Sequence, residues 1–298
     1  MGWNFASELA QLGPHSPTVA TVGVAKRYCA HVTKSHYENF SVVSLLLPRR
    51  LVPHFHAVYA YCRWADDLAD ETAGGAESLA HLAWWRTELL ACYSGSPRHP
   101  VTVALRETIR RFNIPPEPFL NLLVAFEQDQ RVKRYHTFEQ LLGYCRHSAD
   151  PVGRLVLHLF ECFDEERAVL SDEVCTGLQL ANFWQDVSRD FAIGRVYLPA
   201  EDRARFGWSE SDGCTPAFRE LMQFQVERTK GFFDRGSKLL PLLPREARGT
   251  VELFVAGGRA ILDAIERIDY EVWNMRPEVT KWAKVRLLAR AVIGKWMP

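Results

Sequence analysis

Apolar residues recur at helical spacing along most of this chain, and proline and glycine fall between the apolar segments. Alternating apolar and polar residues, the pattern of half-buried strands, are almost absent. The pattern predicts a single all-α domain over residues 1–298, with roughly nine to eleven helices around a central cavity. Residues 1–18 contain proline and glycine and are expected to form a poorly ordered N-terminal extension.

Proline, glycine and capping residues suggest where the helices begin and end. Pro48 and Pro53 precede one helix, and Gly74 follows its end. Proline should interrupt a helix at Asp150–Pro151, and Ser171 is expected to cap the helix after it. Residues 194–199, GRVYLP, and residues 207–216 are predicted as loops, the first β-like but without a strand partner. The predicted helices span residues 19–34, 54–70, 77–93, 101–112, 119–131, 138–163, 171–191, 216–240, 246–273 and 279–296.

Residues 59–71, YAYCRWADDLADE, place charges in an otherwise apolar helix. Tyr59, Arg63, Asp66 and Asp70 step by four, three and four residues and therefore share one face, with Asp67 beside them. An acidic stripe is usually a solvated surface. Here the neighbours are aromatic and aliphatic, and the acids lie at a helix C-terminus, where negative charge is disfavoured. The pattern favours a bound hard cation such as Mg²⁺.

A second polar stripe follows in residues 179–190, QLANFWQDVSRD. Gln179, Asn182, Asp186 and Asp190 step by three, four and four residues, so two amides and two carboxylates share a helix face. Two such helices could face each other across a cavity, with metal ions bridging to a diphosphate. This chemistry suits ionisation of an allylic or cyclopropylcarbinyl diphosphate in an apolar cavity that shields a carbocation from water.

Composition narrows the class of protein and its compartment. Lysine plus arginine and aspartate plus glutamate each number 36, so net charge gives no argument for nucleic acid as a partner. Seven scattered cysteines without a Cys-x-x-Cys pair argue against disulfides and zinc, and indicate a reducing, cytoplasmic compartment. The N-terminus lacks a signal-peptide pattern, and no apolar stretch is long enough to span a bilayer. A soluble or peripheral protein is expected.

These two stripes resemble the aspartate-rich motifs of the squalene/phytoene synthase family, all-α enzymes of head-to-head isoprenoid chemistry, over nearly the whole chain. The resemblance implies the isoprenoid synthase fold and two or three Mg²⁺ ions. It implies that the metal ligands are Asp66, Asp70, Asn182, Asp186 and Asp190, and that the catalytic residues are these four aspartates with Asp67, Arg63 and Tyr59.

Further positions match the family one at a time. They lie in the N-terminal substrate segment, the central helices, GRVYLP and the C-terminal region. The resemblance implies substrate binding by His36, Tyr37, Asn39, Phe40, Asp129, Tyr144, Gln179, Asn182, Tyr197, Tyr270 and Arg276. Each of these can also be read as packing or surface.

Three departures from the family pattern point to one branch. HYENF replaces a serine-rich segment, RHSADP replaces mostly small apolar residues, and Gln185 and Arg189 stand where many relatives have Arg and Glu. HYENF, CRWADDLADE and NFWQD together look most like bacterial hydroxysqualene synthases of the hopanoid pathway. That resemblance implies presqualene diphosphate as substrate and water as the group that traps the cation, with NADPH not expected.

Two alternatives remain open. One is a squalene, dehydrosqualene or phytoene synthase that condenses two farnesyl or longer prenyl diphosphates. The other, from a different class, is a non-catalytic helical lipid-binding protein with the same fold. The lipid substrate also suggests a peripheral approach to the inner face of the cytoplasmic membrane, which residues 282–296 could serve, and functional coupling to neighbouring squalene-pathway enzymes.

Overall fold

The structure is a computed structural model and describes residues 3–36 and 46–280. These residues form thirteen α-helices, and their only β pairing is an isolated parallel bridge between Arg134 and Val196. In chain order the helices are α1 (Phe5–Leu12), α2 (Val22–His36), α3 (Val52–Asp70), α4 (Gly75–Ser94), α5 (Pro100–Phe112), α6 (Glu117–Asp129), α7 (Phe138–Ser148), α8 (Asp150–Leu159), α9 (Glu165–Gln185), α10 (Val187–Ala192), α11 (Ala200–Arg205), α12 (Pro216–Gly236) and α13 (Arg245–Arg267). The all-α prediction is confirmed.

The chain forms two compact units. Unit 1 comprises residues 1–131 and 155–162, and unit 2 comprises residues 132–154 and 163–298. The first aspartate-rich motif belongs to unit 1 and the second to unit 2. The expectations of one domain and of motifs that face each other across a cavity stay predictions.

Helix α3 is the centre of unit 1 and contacts α2, α4, α5 and α6. Its Trp64 is fully buried and stacks on Trp85 of α4, with ring centroids 5.5 Å apart. Tyr61 of α3 also stacks on Trp85, with ring centroids 5.7 Å apart. Stacked and edge-on aromatic rings bury large apolar areas, so this cluster holds α3 firmly while its polar face carries the motif.

The N-terminus differs from the sequence-based expectation. Phe5–Leu12 forms helix α1, and its Phe5 is only 2% exposed and packs against Trp64 with ring centroids 5.1 Å apart. Asn4 caps this helix by accepting a hydrogen bond from the Ser7 N–H. The prediction of a poorly ordered extension is therefore wrong for the part of residues 1–18 that the structure describes.

Helix α9 is the centre of unit 2 and contacts α7, α12 and α13. Its close approach to α13 depends on Gly258, where an added Cβ would lie 2.3 Å from Phe233 Cζ and 2.9 Å from Leu178 Cδ2. Trp184 is fully buried in α9 and donates a hydrogen bond from Nε1 to Thr229 Oγ1 at 2.8 Å. Close packing and a satisfied buried donor hold the second motif in place.

Several predicted boundaries need correction. Asp164, rather than Ser171, caps α9, because its side chain accepts the Arg167 N–H. The helix predicted to reach Phe191 breaks at Asp186, and α13 ends at Arg267 because Asp269 and Tyr270 adopt positive φ.

One predicted helix interruption is confirmed. The break at Asp150–Pro151 is confirmed, because α7 ends at Ser148 and α8 begins at Asp150. The predicted helix at 279–296 lies almost entirely outside the described residues.

Over residues 3–36 and 46–280, no helix is both long and apolar enough to cross a membrane.

Candidate active site

Arg63 organises the first motif on the polar face of α3. Its guanidinium lies 3.0 Å from Asp66 Oδ2 and 3.1 Å from Glu71 Oε1, and it also forms an ion pair with Asp67. One cation therefore serves three carboxylates within two helical turns. Burial alone would lower the pKa of Arg63, but Asp67 and Asp66 outweigh this effect and raise it.

The three aspartates of this motif differ in exposure. Asp67 is fully buried, whereas Asp66 is partly exposed and Asp70 is exposed. Burial raises the pKa of Asp67 to about 7, although Arg63 opposes the shift. The sequence placed Asp67 beside the stripe, and the structure places it beneath Arg63. It therefore orients the guanidinium from below, while Asp66 and Asp70 remain accessible to a ligand.

Other predicted residues of unit 1 have the following surroundings. His36, at the end of α2, is half-buried against Trp3 with ring centroids 4.7 Å apart. Burial and the nearby Arg63 lower its pKa, and Glu71 opposes them. His36 is thus in the electrostatic range of the first motif. Tyr59 is half-buried on α3, and Asp129 is buried at the end of α6. Tyr37, Asn39 and Phe40 lie outside the described residues.

The second motif is divided by a kink at Asp186. Its backbone has φ −106° and ψ 16°, and its N–H still donates to the Asn182 carbonyl at 3.0 Å. The Asp190 N–H donates to the Asp186 carbonyl at 2.9 Å, so helical spacing continues across the break. Arg276 binds the Asp186 carboxylate at two points, with Nε 2.6 Å from Oδ1 and Nη2 3.2 Å from Oδ2. This two-point geometry is characteristic of strong arginine–carboxylate pairs.

Asp190 is the less compensated carboxylate of the second motif. Burial and the nearby Asp186 raise its pKa to about 7, and Arg195 partly offsets them. The Arg195 N–H also donates to the Asp190 carbonyl at 2.8 Å. A recess beside Asp190 is lined by Arg195, Tyr197 and Trp273, among others. An acid next to a partly compensating arginine is suited to a ligand that carries both cations and anionic oxygens.

An aromatic cluster lies directly beside the second motif in unit 2. Phe183 stacks on Tyr197 with ring centroids 3.8 Å apart and an interplanar angle of 11°. Tyr144 lies 6.1 Å from both rings, and Tyr135 stacks on Tyr197 at 5.8 Å. All four side chains are buried. Tyr144 and Tyr197, which the sequence suggested as substrate contacts, are thus brought together with the motif residue Phe183.

Three further residues that the sequence predicted as substrate contacts are not part of this aromatic cluster. Gln179 is half-buried and Asn182 exposed on α9. Tyr270 is half-buried. Burial and Glu266 raise its pKa and Lys230 opposes them, and neither charged group belongs to a motif. The proposed substrate contact of Tyr270 therefore stays a prediction.

The central segment RHSADP, which departs from the family pattern, contains two polar side chains with defined contacts. His147 is half-buried, and its Nδ1 lies 2.9 Å from the Gly143 carbonyl. Asp150 is only 6% exposed and accepts a hydrogen bond from Thr176 Oγ1 at 2.9 Å. Burial, followed by Asp172, raises its pKa to about 7.

Arg195 and Gln185 lie beside the second motif, and the sequence predicted a site role for neither, although Gln185 departs from the family pattern. Both were visible inside the segments GRVYLP and NFWQD. Helical spacing could not select them, because Arg195 lies after the helix and Gln185 points away from the carboxylate stripe. Gln185 is 7% exposed and donates from Nε2 to the Pro277 carbonyl at 2.7 Å.

Both motifs have the donor chemistry of a magnesium site. Each offers paired carboxylate oxygens, and Mg²⁺ usually binds one or two carboxylates together with phosphate oxygens and water. Among the described residues, no group of three or more His, Cys, Asp or Glu side chains could hold a metal ion by itself. Asp66 and Asp186 instead pair with Arg63 and Arg276. These residues fit a metal that arrives with a diphosphate better than one held by the protein alone.

Comparison with known proteins identifies similar sequences. A family model described as squalene/phytoene synthase matches residues 33–283. A phytoene synthase from Arthrospira platensis is 30% identical over 295 residues, covering 93% of this chain and 96% of that protein. A 15-cis-phytoene synthase from Synechococcus elongatus is 28% identical, with 96% and 98% covered.

Solved structures show the same architecture. The squalene synthase HpnC from Alicyclobacillus acidocaldarius has a TM-score of 0.81 and 46% identity, covering 84% of this chain and 95% of that chain. A dehydrosqualene synthase in complex with a ligand has a TM-score of 0.81 and 25% identity, with 91% and 96% covered. These similarities confirm the isoprenoid synthase fold expected from the sequence.

Proposed function

Since the chain belongs to the squalene/phytoene synthase family, whose members join prenyl diphosphates head to head, we propose that it is a Mg²⁺-dependent hydroxysqualene synthase. The substrate would be presqualene diphosphate, and the products hydroxysqualene and diphosphate. The observation that carries water trapping is that the segments HYENF and RHSADP depart from the family pattern. The 46% identity to a squalene synthase, against 30% or less to the phytoene synthases, favours a product of the squalene type over phytoene.

The residues of the two motifs would bind the leaving diphosphate. Asp66 and Asp70 of the first motif, and Asp186 and Asp190 with Asn182 of the second, would hold two or three Mg²⁺ ions. Bound magnesium supplies positive charge that stabilises the departing diphosphate. Arg63 and Arg276 already lie on motif carboxylates and would donate charge-assisted hydrogen bonds to phosphate oxygens.

The aromatic cluster of Tyr135, Tyr144, Phe183 and Tyr197 would serve the later part of the reaction. Departure of diphosphate leaves a cyclopropylcarbinyl cation, which rearranges to an allylic cation. Water adds its oxygen to that cation and releases a proton, so no reductant is consumed and NADPH is not required. Buried aromatic faces stabilise positive charge and exclude bulk water, which restricts trapping to a positioned molecule.

The residues that position this water would come from the segments that depart from the family pattern. Those within the described residues are His147 and Asp150, and Tyr37, Glu38 and Asn39 lie outside them. His147→Ala and Asp150→Asn should change the ratio of hydroxysqualene to other products more than they change the rate of diphosphate release. Mass spectrometry and a diphosphate assay on each variant measure the two quantities. An unchanged product ratio in both variants would remove these two residues from the role.

A second candidate is squalene synthesis from two farnesyl diphosphates, favoured by the 46% identity to the squalene synthase HpnC. Purified protein with Mg²⁺ should be given farnesyl diphosphate or presqualene diphosphate in ¹⁸O-labelled water, with and without NADPH. We expect ¹⁸O-labelled hydroxysqualene from presqualene diphosphate without NADPH. Squalene formed only with NADPH would establish the second candidate, and no diphosphate release under any condition would favour a non-catalytic lipid-binding protein.

The proposed site also implies a cellular setting. The substrate and product are lipids, so a cytoplasmic protein that approaches the inner face of the membrane peripherally is the proposed arrangement, with coupling to neighbouring squalene-pathway enzymes. Nucleic acid has no part in it.

A further inference from the structure

The chain after α13 returns to the second motif. We call residues 269–277 the C-terminal strap. Val272 is fully buried, and Trp273 packs against Phe191 and Trp208 with ring centroids 5.0 and 5.5 Å away. Glu271 forms an ion pair with Arg219 at 2.9 Å. These contacts anchor the first half of the strap to unit 2 by apolar packing and charge.

The second half of the strap is held by polar contacts at its end. Asn274 and Met275 are exposed, Met275 by 50%, so this part gains little from apolar burial. Two adjacent strap residues meet two adjacent motif residues. Gln185 Nε2 donates to the Pro277 carbonyl at 2.7 Å, while Arg276 forms its two-point pair with Asp186.

A bound diphosphate would affect the Arg276–Asp186 pair and the Gln185–Pro277 hydrogen bond differently. A metal and diphosphate that bind Asp186 would compete with Arg276 for its carboxylate. The hydrogen bond between Gln185 and the Pro277 carbonyl involves no ionised group, and Gln185 itself is only 7% exposed. It would survive ligand binding and keep the backbone next to Arg276 in place, so the guanidinium could exchange carboxylate for phosphate oxygens without losing its position.

We propose that Gln185 is a positioning residue, which holds the strap so that Arg276 remains at the second motif when a diphosphate binds. The inference rests on the proposed function, because it assigns Arg276 a diphosphate ligand. The neutral amide suits this role, since it donates to a backbone carbonyl without adding charge beside Asp186. A lost buried hydrogen bond leaves the Pro277 carbonyl unsatisfied and the strap free to move.

The test is a double-mutant cycle with inorganic diphosphate and MgCl₂ as the probe. Gln185→Met keeps the side-chain length but removes the donor, and it is made in the wild type and in Arg276→Ala. Calorimetry should show the Kd for diphosphate rising about tenfold in Gln185→Met, but no further rise when it is added to Arg276→Ala. The inference would be overturned if Gln185→Met raised the Kd equally in both backgrounds, or if it left the Kd of the wild-type background unchanged.

Hydrogen exchange provides a readout that is independent of activity. Peptides covering residues 274–280 should exchange faster in Gln185→Met than in the wild type, because the hydrogen bond that anchors the strap is lost. Unchanged exchange would contradict the inference. Gln225→Met is the matched control, since Gln225 is a fully buried glutamine of unit 2 that donates to Asp202 Oδ2 at 2.8 Å. It should lower thermal stability without changing the Kd.

The experiment distinguishes failure of the proposed function from failure of the positioning role of Gln185. If the wild type binds no diphosphate with Mg²⁺, the proposed function is refuted, and the role of Gln185 with it. If the wild type binds diphosphate and Gln185→Met binds it equally well, only the positioning role is refuted.

Discussion

Arg63 is a single cation that serves Asp66, Asp67 and Glu71 at once. A planar guanidinium with five donors can do this, whereas a lysine ammonium is a compact point charge. Its three contacts therefore depend on the shape of its side chain as well as its charge. Lysine carries the same charge but should not be able to substitute for Arg63.

Arg63→Lys should lower kcat/KM for diphosphate release by about 100-fold, because the lysine cannot hold three carboxylates in one arrangement. A coupled diphosphate assay measures the effect. Arg86→Lys is the matched control, since Arg86 has similar exposure in the same unit and pairs with Glu127 at 2.6 Å. Its kcat/KM should stay within about threefold of the wild type. A kcat/KM for Arg63→Lys within about threefold of the wild type would show that Arg63 acts by charge alone. Similar losses in both variants would show a general effect of replacing arginine by lysine.

Asp150 is a buried acid whose pKa is raised from 3.8 to about 7. Between these values the folded protein binds more protons than the unfolded chain, so this residue makes stability fall as pH rises. Asp150→Asn keeps an acceptor for Thr176 and removes the titration. The variant should therefore gain about 2–4 kcal/mol relative to the wild type between pH 4 and pH 8. Urea unfolding at both pH values measures it, and equal pH dependence of the two proteins would contradict the prediction.

At the scale of elements, the second motif depends on how closely α9, α12 and α13 approach each other. Gly258 of α13 lies against Phe233 of α12 and Leu178 of α9, with no room for a side chain. Its neighbour Gly257 has no atom within 4 Å of an added Cβ. Adjacent glycines of one helix thus provide a direct comparison of close packing with backbone propensity.

Gly258→Ala should destabilise the fold by about 1–3 kcal/mol, because the new methyl group forces Phe233 or the helix to shift. Gly257→Ala should instead stabilise it by up to about 1 kcal/mol, since alanine restricts the unfolded chain and fits an open position. Denaturant midpoints at constant m-value measure both changes. Equal effects at the two positions would show that the approach of the helices is looser than described.

At the scale of the whole molecule, each compact unit carries one aspartate-rich motif. A ligand that binds the folded chain but not the unfolded chain raises thermal stability by mass action. Inorganic diphosphate with Mg²⁺ should therefore raise the Tm of the wild type. The size of the shift reports on both motifs in one experiment.

Asp66→Ala and Asp186→Ala should each reduce this Tm shift to less than about half, because each would remove the oxygens of a proposed Mg²⁺ ligand. Differential scanning fluorimetry with and without Mg²⁺ and diphosphate provides the measurement. Asp234→Ala is the control, since Asp234 is an exposed acid of α12 paired with Arg259 at 2.8 Å. A full shift in Asp66→Ala or in Asp186→Ala would exclude that motif from diphosphate binding.

The sequence by itself determined the all-α class, the two carboxylate pairs and the proximity of Arg63 to Asp66. Residues three and four apart on a helix are neighbours whatever the helix packs against, so Arg63 with Asp66 and Asp186 with Asp190 follow from local geometry. The helical pattern of apolar residues is local in the same way, which is why the all-α class was predictable.

Only the tertiary structure decided which of these residues are buried and what they meet from distant parts of the chain. Asp67 lies beneath Arg63 rather than in solvent, and Arg276 reaches Asp186 across 90 residues of sequence. Gln185 turns its amide to Pro277, 92 residues away. Such contacts depend on how separate helices pack and on where a chain turns after a helix ends, and side-chain spacing along one helix contains no information about either.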